Sequence, residues 1–294
     1  MPLATLKRFP WLNLALFLLT ILTTLGAGGW MFAVPLLLAL GTHEMGHFIV
    51  ARLHGLEPSW PYFIPAPGTL VGTFGAVIRM RFTTPPTRKQ LFDIGIAGPL
   101  AGFVVSLVFL AVGAAMSAAA PELTHVQTYS LWDAGVHWAL TGDTHWFARA
   151  LGGGEGATLI LGDSLLTKAV VYATTGLDSA TVVLHPVAFA GWVGMFVTLL
   201  NLLPVGQLDG GHVAYALLGH RFRYMPWVVM TALVVLGLTG WPGWLLWALI
   251  LGFLGLRHPP VSDEPLGRRR MALAWLCLVI FVLIFTPAPL QPGW

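Results

Sequence analysis

The chain is poor in charge. Only 9% of its 294 residues are Asp, Glu, Lys or Arg, against about 25% in water-soluble domains. So few polar groups cannot cover a water-facing surface, which excludes an ordinary soluble enzyme. Cysteine is almost missing. Cys277 stands alone inside an apolar run, which excludes both a disulfide framework and a cysteine-ligated zinc site. A nucleic-acid-binding face is excluded as well. The net charge is only +3, and the basic residues are scattered between apolar runs rather than gathered on one face. No internal repeat or low-complexity tract is present.

What the chain has instead is hydrophobicity: 56% of its residues are apolar and the mean hydropathy is +0.78. The expected solvent is a lipid bilayer. Seven apolar segments, roughly 9–27, 30–53, 93–118, 186–217, 225–239, 241–256 and 271–287, are long enough or nearly so to cross one. The fifth and sixth are short and are read as two spans or a re-entrant pair. Lys7 and Arg8 ahead of the first run resemble a signal peptide. The second run follows so closely that a hairpin of two spans is the better reading. The fold class expected is an all-α polytopic membrane protein of about six to seven transmembrane helices.

Alternate loops segregate charge. With the N-terminus on one side, that side carries thirteen of the Lys and Arg residues, and the other only Arg149 and Lys168. The positive-inside rule then makes the N-terminus cytoplasmic and the C-terminus external. Arg268, Arg269 and Arg270 are read as a topology anchor. Between spans, Gly72 to Phe82 alternates Val77, Arg79 and Arg81 with Ile78, Met80 and Phe82. That period of two predicts a membrane-associated β hairpin or small sheet near 64–82. The outer loop, about 119–185, is irregular at first. Its later part, Leu159 to Thr174, reads as an amphipathic helix on the outer surface.

The second span contains His43-Glu44-Met45-Gly46-His47. Residues four apart share one face of a helix, so both imidazoles can reach one zinc ion, and Glu44 beside them can accept a proton from an attacking water. A glutamate in a bilayer-spanning helix costs at least ~2.5–3.5 kcal/mol near the centre, so such residues usually serve a functional interior. Zinc needs a third protein ligand. Asp209 is the candidate, in Asn201-Leu202-Leu203-Pro204-Val205-Gly206-Gln207-Leu208-Asp209-Gly210-Gly211-His212. Pro204 and the glycines predict a helix opened locally beside a carboxylate. Both spans run inward, so the three groups are expected at similar depth in the cytoplasmic half. His212 is a candidate partner of Asp209. His185 reads as a span start. His54, His125, His137, His145, His220 and His258 are read as interfacial.

These residues resemble the site-2 protease family of intramembrane zinc metalloproteases. The resemblance rests on HEMGH at 43–47, Ala97-Gly98-Pro99-Leu100-Ala101-Gly102, and the segment from Asn201 to Gly210. It is nearest to the branch without a PDZ insertion, which includes plant plastid members and their bacterial relatives. Leu202 stands where many members have proline. The resemblance implies one Zn2+ per chain held by His43, His47 and Asp209, with Glu44 as general base. It also implies that Asn201 holds substrate, and that transmembrane protein substrates are cut within or near the membrane. A single membrane-embedded protease domain over 1–294 is expected, with a catalytic core of about 30–218 and additional transmembrane helices at 225–287. Gly72 to Phe82 is a candidate strand for pairing extended substrate. The composition suggests a prokaryotic cell membrane. Two other readings are a prenyl-protein-processing type of zinc protease and a metal transporter. The first lacks a suitable later glutamate, and the second lacks a pathway of acids. No motif specifies the substrate or the oligomeric state.

Overall fold

The computed structural model describes residues 10–81, 86–119, 158–255 and 265–293, with 136, 137, 139 and 141 besides. Phe82, the first half of the expected outer loop with its acids and Arg149, His258 and the loop around Arg257 and Glu264 lie outside the described residues. The chain begins with α1 (Trp11–Gly28) and α2 (Trp30–Leu53), followed by β1 (Glu57–Pro58), β2 (Tyr62–Pro65), β3 (Thr73–Val77) and β4 (Met80–Arg81). Then come α3 (Arg88–Ala115), β5 (Ala118–Ala119), β6 (Thr158–Leu161), α4 (Leu165–Thr175) and β7 (Val182–Val183). The rest is α5 (Pro186–Asn201), α6 (Asp209–Leu218), α7 (Met225–Thr239), α8 (Gly243–Leu254), α9 (Gly267–Ile284) and β8 (Leu290–Gly293).

The protein is mostly helical. Among the described residues four helical stretches are long and apolar enough to cross a membrane: Trp11–Gly28, Trp30–Leu53, Arg88–Ala115 and Arg221–Thr239. Pro186–Asn201 and Gly243–Leu254 are apolar but shorter. The expected fourth segment, 186–217, is two helices. Helix α5 ends at Asn201, an irregular link follows, and α6 restarts at Asp209. The break predicted from Pro204 and the glycines is therefore complete. Helix α3 starts five residues before the expected segment because Thr87 and Gln90 form a capping box, which satisfies two amides of the first turn reciprocally. His185 caps α5, its Nδ1 accepting from the Val187 amide at 3.3 Å.

Helices α2, α3 and α5 pack together as the core, with α6 against α3. Phe32, Leu36, Phe92, Leu110 and Leu199 lie at its centre, all at most 1% exposed. The outer faces of α1, α7 and α9 carry exposed Leu, Val and Trp side chains, as expected of surfaces that meet lipid rather than water.

The period-two segment forms two antiparallel pairs. β2 pairs with β3, placing Tyr62 opposite Val77, and β1 pairs with β4, placing Glu57 opposite Arg81. The sheet thus begins near 57, earlier than the expected 64, and the alternation breaks at Ile78 and Arg79 between β3 and β4. This hairpin lies along α1. Asn13 donates to the carbonyls of Trp60 and Pro61 at 2.9 and 3.0 Å. Ten residues further along α1, about 15 Å, Gly72 presses on the backbone at Thr23. A Cβ at Gly72 would stand 2.6 Å from the Thr23 carbonyl carbon, and its φ is +74°, so only glycine serves there. Two further pairs, β5 with β7 and β6 with β8, were not foreseen. The later outer loop holds a helix as expected, but α4 covers only Leu165–Thr175.

Candidate metal centre

Helix α2 carries His43, Glu44 and His47, and they are 4%, 6% and 6% exposed. Buried imidazoles and a buried carboxylate require partners. The histidines find theirs across the core. Asp209 Oδ2 lies 3.3 Å from His43 Nε2 and 3.3 Å from His47 Nε2, and the two Nε2 atoms are 3.2 Å apart. Four-coordinate zinc with ligands at ~2.0–2.1 Å separates those ligands by about 3.3 Å. The three donor atoms therefore fit the edges of one tetrahedral face. Among the described residues this is the only group of three or more His, Cys, Asp or Glu side chains that could hold a metal.

Each donor is set by its surroundings. His47 Nδ1 lies 2.8 Å from the Ile94 carbonyl of α3. A carbonyl only accepts, so Nδ1 carries the hydrogen and Nε2 keeps its lone pair for a ligand. Asp209 is the first residue of α6, where unpaired amides and the helix dipole favour a carboxylate. At the other end of α6 the Arg88 guanidinium donates to the carbonyls of Ala216 and Leu217, closing off the last turn.

Helix α3 forms the wall behind the centre, and its glycines permit this. A Cβ at Gly98 would stand 2.5 Å from His47 Cδ2 and 2.6 Å from Cε1. At Gly102 it would stand 3.0 Å from His43 Cβ. The two glycines are four apart and face α2 together. The Ala97 to Gly102 motif is thus a flat surface on which both imidazoles rest.

Asn201, the last residue of α5, brings Nδ2 to 3.2 Å from His43 Nε2. Glu44 lines the same cavity, about 490 Å³, as do Asn201, Gln207 and His212. So do Ala76, Val77, Ile78 and Met80 from the hairpin. The structure thus brings His43, Glu44, His47, Asn201 and Asp209 to one place. His185 lies elsewhere, at the start of α5.

Sequence reasoning missed one neighbouring cluster. Arg270 donates twice to Asp93, at 2.7 Å each, and His54 Nε2 lies 3.0 Å from Asp93 Oδ2. This joins the end of α2, the start of α3 and the start of α9, beside the Ile94 carbonyl that holds His47. Arg270 is more than a topology anchor, and His54 is not a free interfacial residue. The available signal was Asp93 itself, an acid at the head of an apolar segment.

Fold and site together define a mostly helical protein with several helices apolar enough for a membrane and, among the described residues, a two-histidine, one-aspartate cluster that could hold a metal. Comparison with known families agrees: the model of peptidase family M50 matches residues 31–237, and the chain belongs to this family, that of the site-2 proteases. It is similar to a probable zinc metalloprotease EGY1, chloroplastic, of Oryza sativa subsp. japonica. The two are 32% identical over 254 residues, 82% of this chain and 38% of the relative. The Arabidopsis thaliana EGY1 is 31% identical over 255 residues, covering 83% and 40%. The Arabidopsis thaliana EGY2 is 27% identical over 256 residues, covering 86% and 40%. The chain thus spans about two fifths of the length of these curated relatives. Their names place them in chloroplasts and lend nothing to the expectation of a prokaryotic source. No solved structure matches the chain.

Proposed function

We propose that this chain is a zinc metalloendopeptidase that hydrolyses peptide bonds within or near the transmembrane segment of membrane-protein substrates. The observation that carries the reading is the triangle of buried His43 and His47 with half-buried Asp209, its edges 3.2–3.3 Å, set among apolar helices and open to a cavity. His43, His47 and Asp209 would hold one zinc ion. A zinc ion bound there would supply Lewis acidity, polarising the scissile carbonyl and making water a better nucleophile. Glu44 is the general base: it takes the proton of the attacking water and returns it to the leaving amine. Asn201 holds the substrate backbone beside the ligands, since an amide offers both a donor and an acceptor.

A substrate helix hides its amide bonds and must open before it is cut. The hairpin gives the opened segment a place to go. β3 pairs with β2 on one side, and its residues Ala76 and Val77 line the metal cavity. An extended substrate adds to it as a further strand. In this reading the N-terminus and the active site face the cytoplasm, as the distribution of Lys and Arg favours. One protease domain spans the chain, with its core at about 30–218 and further membrane helices from 225 to 287.

The test uses the purified full chain in detergent with a single-span model protein. The native protein should cleave it, and Glu44→Gln should lose at least a hundredfold in rate while keeping its zinc. Equal cleavage by both proteins refutes the assignment. So does the absence of cleavage together with zinc flux into liposomes, which would favour transport.

A further inference from the structure

A second cavity, about 410 Å³, lies on the opposite side of α6 from the metal centre. Its lining is almost wholly apolar. Val213, Ala214 and Leu217 of α6 form one wall, and Met271, Ala274 and Leu278 of α9 form the other. It is an open groove, since Met271 and Leu278 are 43% and 50% exposed.

Two arginines neighbour the lining residues in sequence and helical register. On α9 the stripe Met271, Ala274, Leu278, Phe281 faces the cavity, and helical spacing puts Arg268 one turn earlier on that same stripe. Opposite, Leu218 and Met225 line the groove. Arg221 falls between them in the 3-10 turn Gly219–Tyr224, three residues after Leu218. Both arginines are exposed, and neither has an ion-pair partner among the described residues.

We propose that this groove holds an anionic phospholipid, one acyl chain lying between α6 and α9 and its phosphate resting between Arg221 and Arg268. Length distinguishes this occupant from a protein helix. From Met271 to Phe281 the groove runs ten residues, about 15 Å, which is half of a ~30 Å hydrocarbon core. A transmembrane helix needs the whole thickness; an acyl chain needs one leaflet. Charge gives the second argument. Basic residues at the membrane surface favour anionic lipid by about fivefold each. The proposal rests on the chain lying in a bilayer and not on its being a protease. The groove's inner wall includes Leu202 and Pro204 of the link before Asp209, and Gly210 just after it, so lipid bound there steadies the metal centre from behind.

The experiment is retention of added lipid by the delipidated full chain in detergent, read by intact mass spectrometry. The probes are dioleoyl phosphatidylglycerol and dioleoyl phosphatidylcholine. One phosphatidylglycerol per chain is expected, retained at least tenfold better than phosphatidylcholine. The double variant Arg221→Gln, Arg268→Gln should lose that preference, a drop of about thirtyfold. Ala214→Trp, which fills the groove, should retain neither lipid. Glu44→Gln should retain lipid as the native protein does, which separates this proposal from the protease reading. Equal retention of the two lipids by the native protein overturns the proposal. So does a preference that survives the double arginine substitution, or a dimer in place of a lipid adduct. Should Ala214→Trp fail to fold, the arginine pair decides the matter alone.

Discussion

Replacing Gly98 by alanine adds one methyl group, and the structure states where it goes. The new Cβ would stand 2.5 Å from His47 Cδ2 and 2.6 Å from Cε1, whereas carbon atoms rest at about 3.5–4.0 Å. The imidazole must withdraw by roughly 1 Å, several times the ~0.2 Å tolerance of a zinc–ligand bond. His47 cannot follow freely, because its Nδ1 is tied to the Ile94 carbonyl at 2.8 Å. Gly98→Ala should therefore leave the protein with well under one zinc per chain and reduce cleavage by at least ~100-fold, the usual consequence of a 1 Å misplacement. Gly102→Ala is the control on the same helix. Its Cβ meets His43 Cβ at 3.0 Å, which a shift of a few tenths of an ångström relieves, so zinc should stay and activity should fall by less than about tenfold. Helix propensity makes the opposite prediction, since both changes favour the helix by about 1 kcal/mol. Pro99 restricts a preceding residue that carries a Cβ, so thermal unfolding is followed alongside. Metal is measured by mass spectrometry and cleavage on the single-span substrate. A folded Gly98→Ala protein with full zinc and native activity would refute the wall that α3 is taken to form.

Three other outcomes are expected. Asp209→Ala should abolish stoichiometric zinc, and unchanged metal content would remove Asp209 from the ligand set. Asp93→Asn and Arg270→Gln should show a coupling of about 1 kcal/mol in a double-mutant cycle of thermal stability, the scale of a well-formed but partly exposed ion pair; strict additivity would mean that the pair does not hold α9 to α3. Trp192→Phe removes a hydrogen bond from Nε1 to the Gly162 carbonyl at 3.0 Å and leaves that oxygen unpartnered. It should cost about 1–3 kcal/mol, and a melting temperature equal to the native one would count against it.

The convergence of His43, His47 and Asp209 was legible in the sequence because its signals are local. His43 and His47 show a helical spacing, and Asp209 stands among Pro204, Gly206, Gly210 and Gly211, a set that no continuous membrane helix would collect. Other features were not legible. The glycines at 98 and 102 are ordinary in an apolar helix, and only the position of α2 shows what they leave room for. Asp93 was passed over because its partners, His54 and Arg270, are 39 and 177 residues distant, and pairing at that range leaves no periodic trace. The same holds for β6 and β8, which meet from widely separated parts of the chain. The long apolar run 186–217 looked like one span because hydropathy averages over the seven residues in which the helix is absent.

The hairpin beside α1 gives that first helix a task apart from anchoring. Among the described residues strands β2 and β3 form only a two-stranded pair, so amides and carbonyls along their outer rims have no further strand to meet. Such groups cost several kcal/mol each where hydrocarbon touches them. Helix α1 stands over the hairpin from Asn13 to Thr23, and the Asn13 side chain satisfies two carbonyls of the approach to β2. It works as insulation, keeping lipid off one edge of a ribbon whose face toward the cavity stays open.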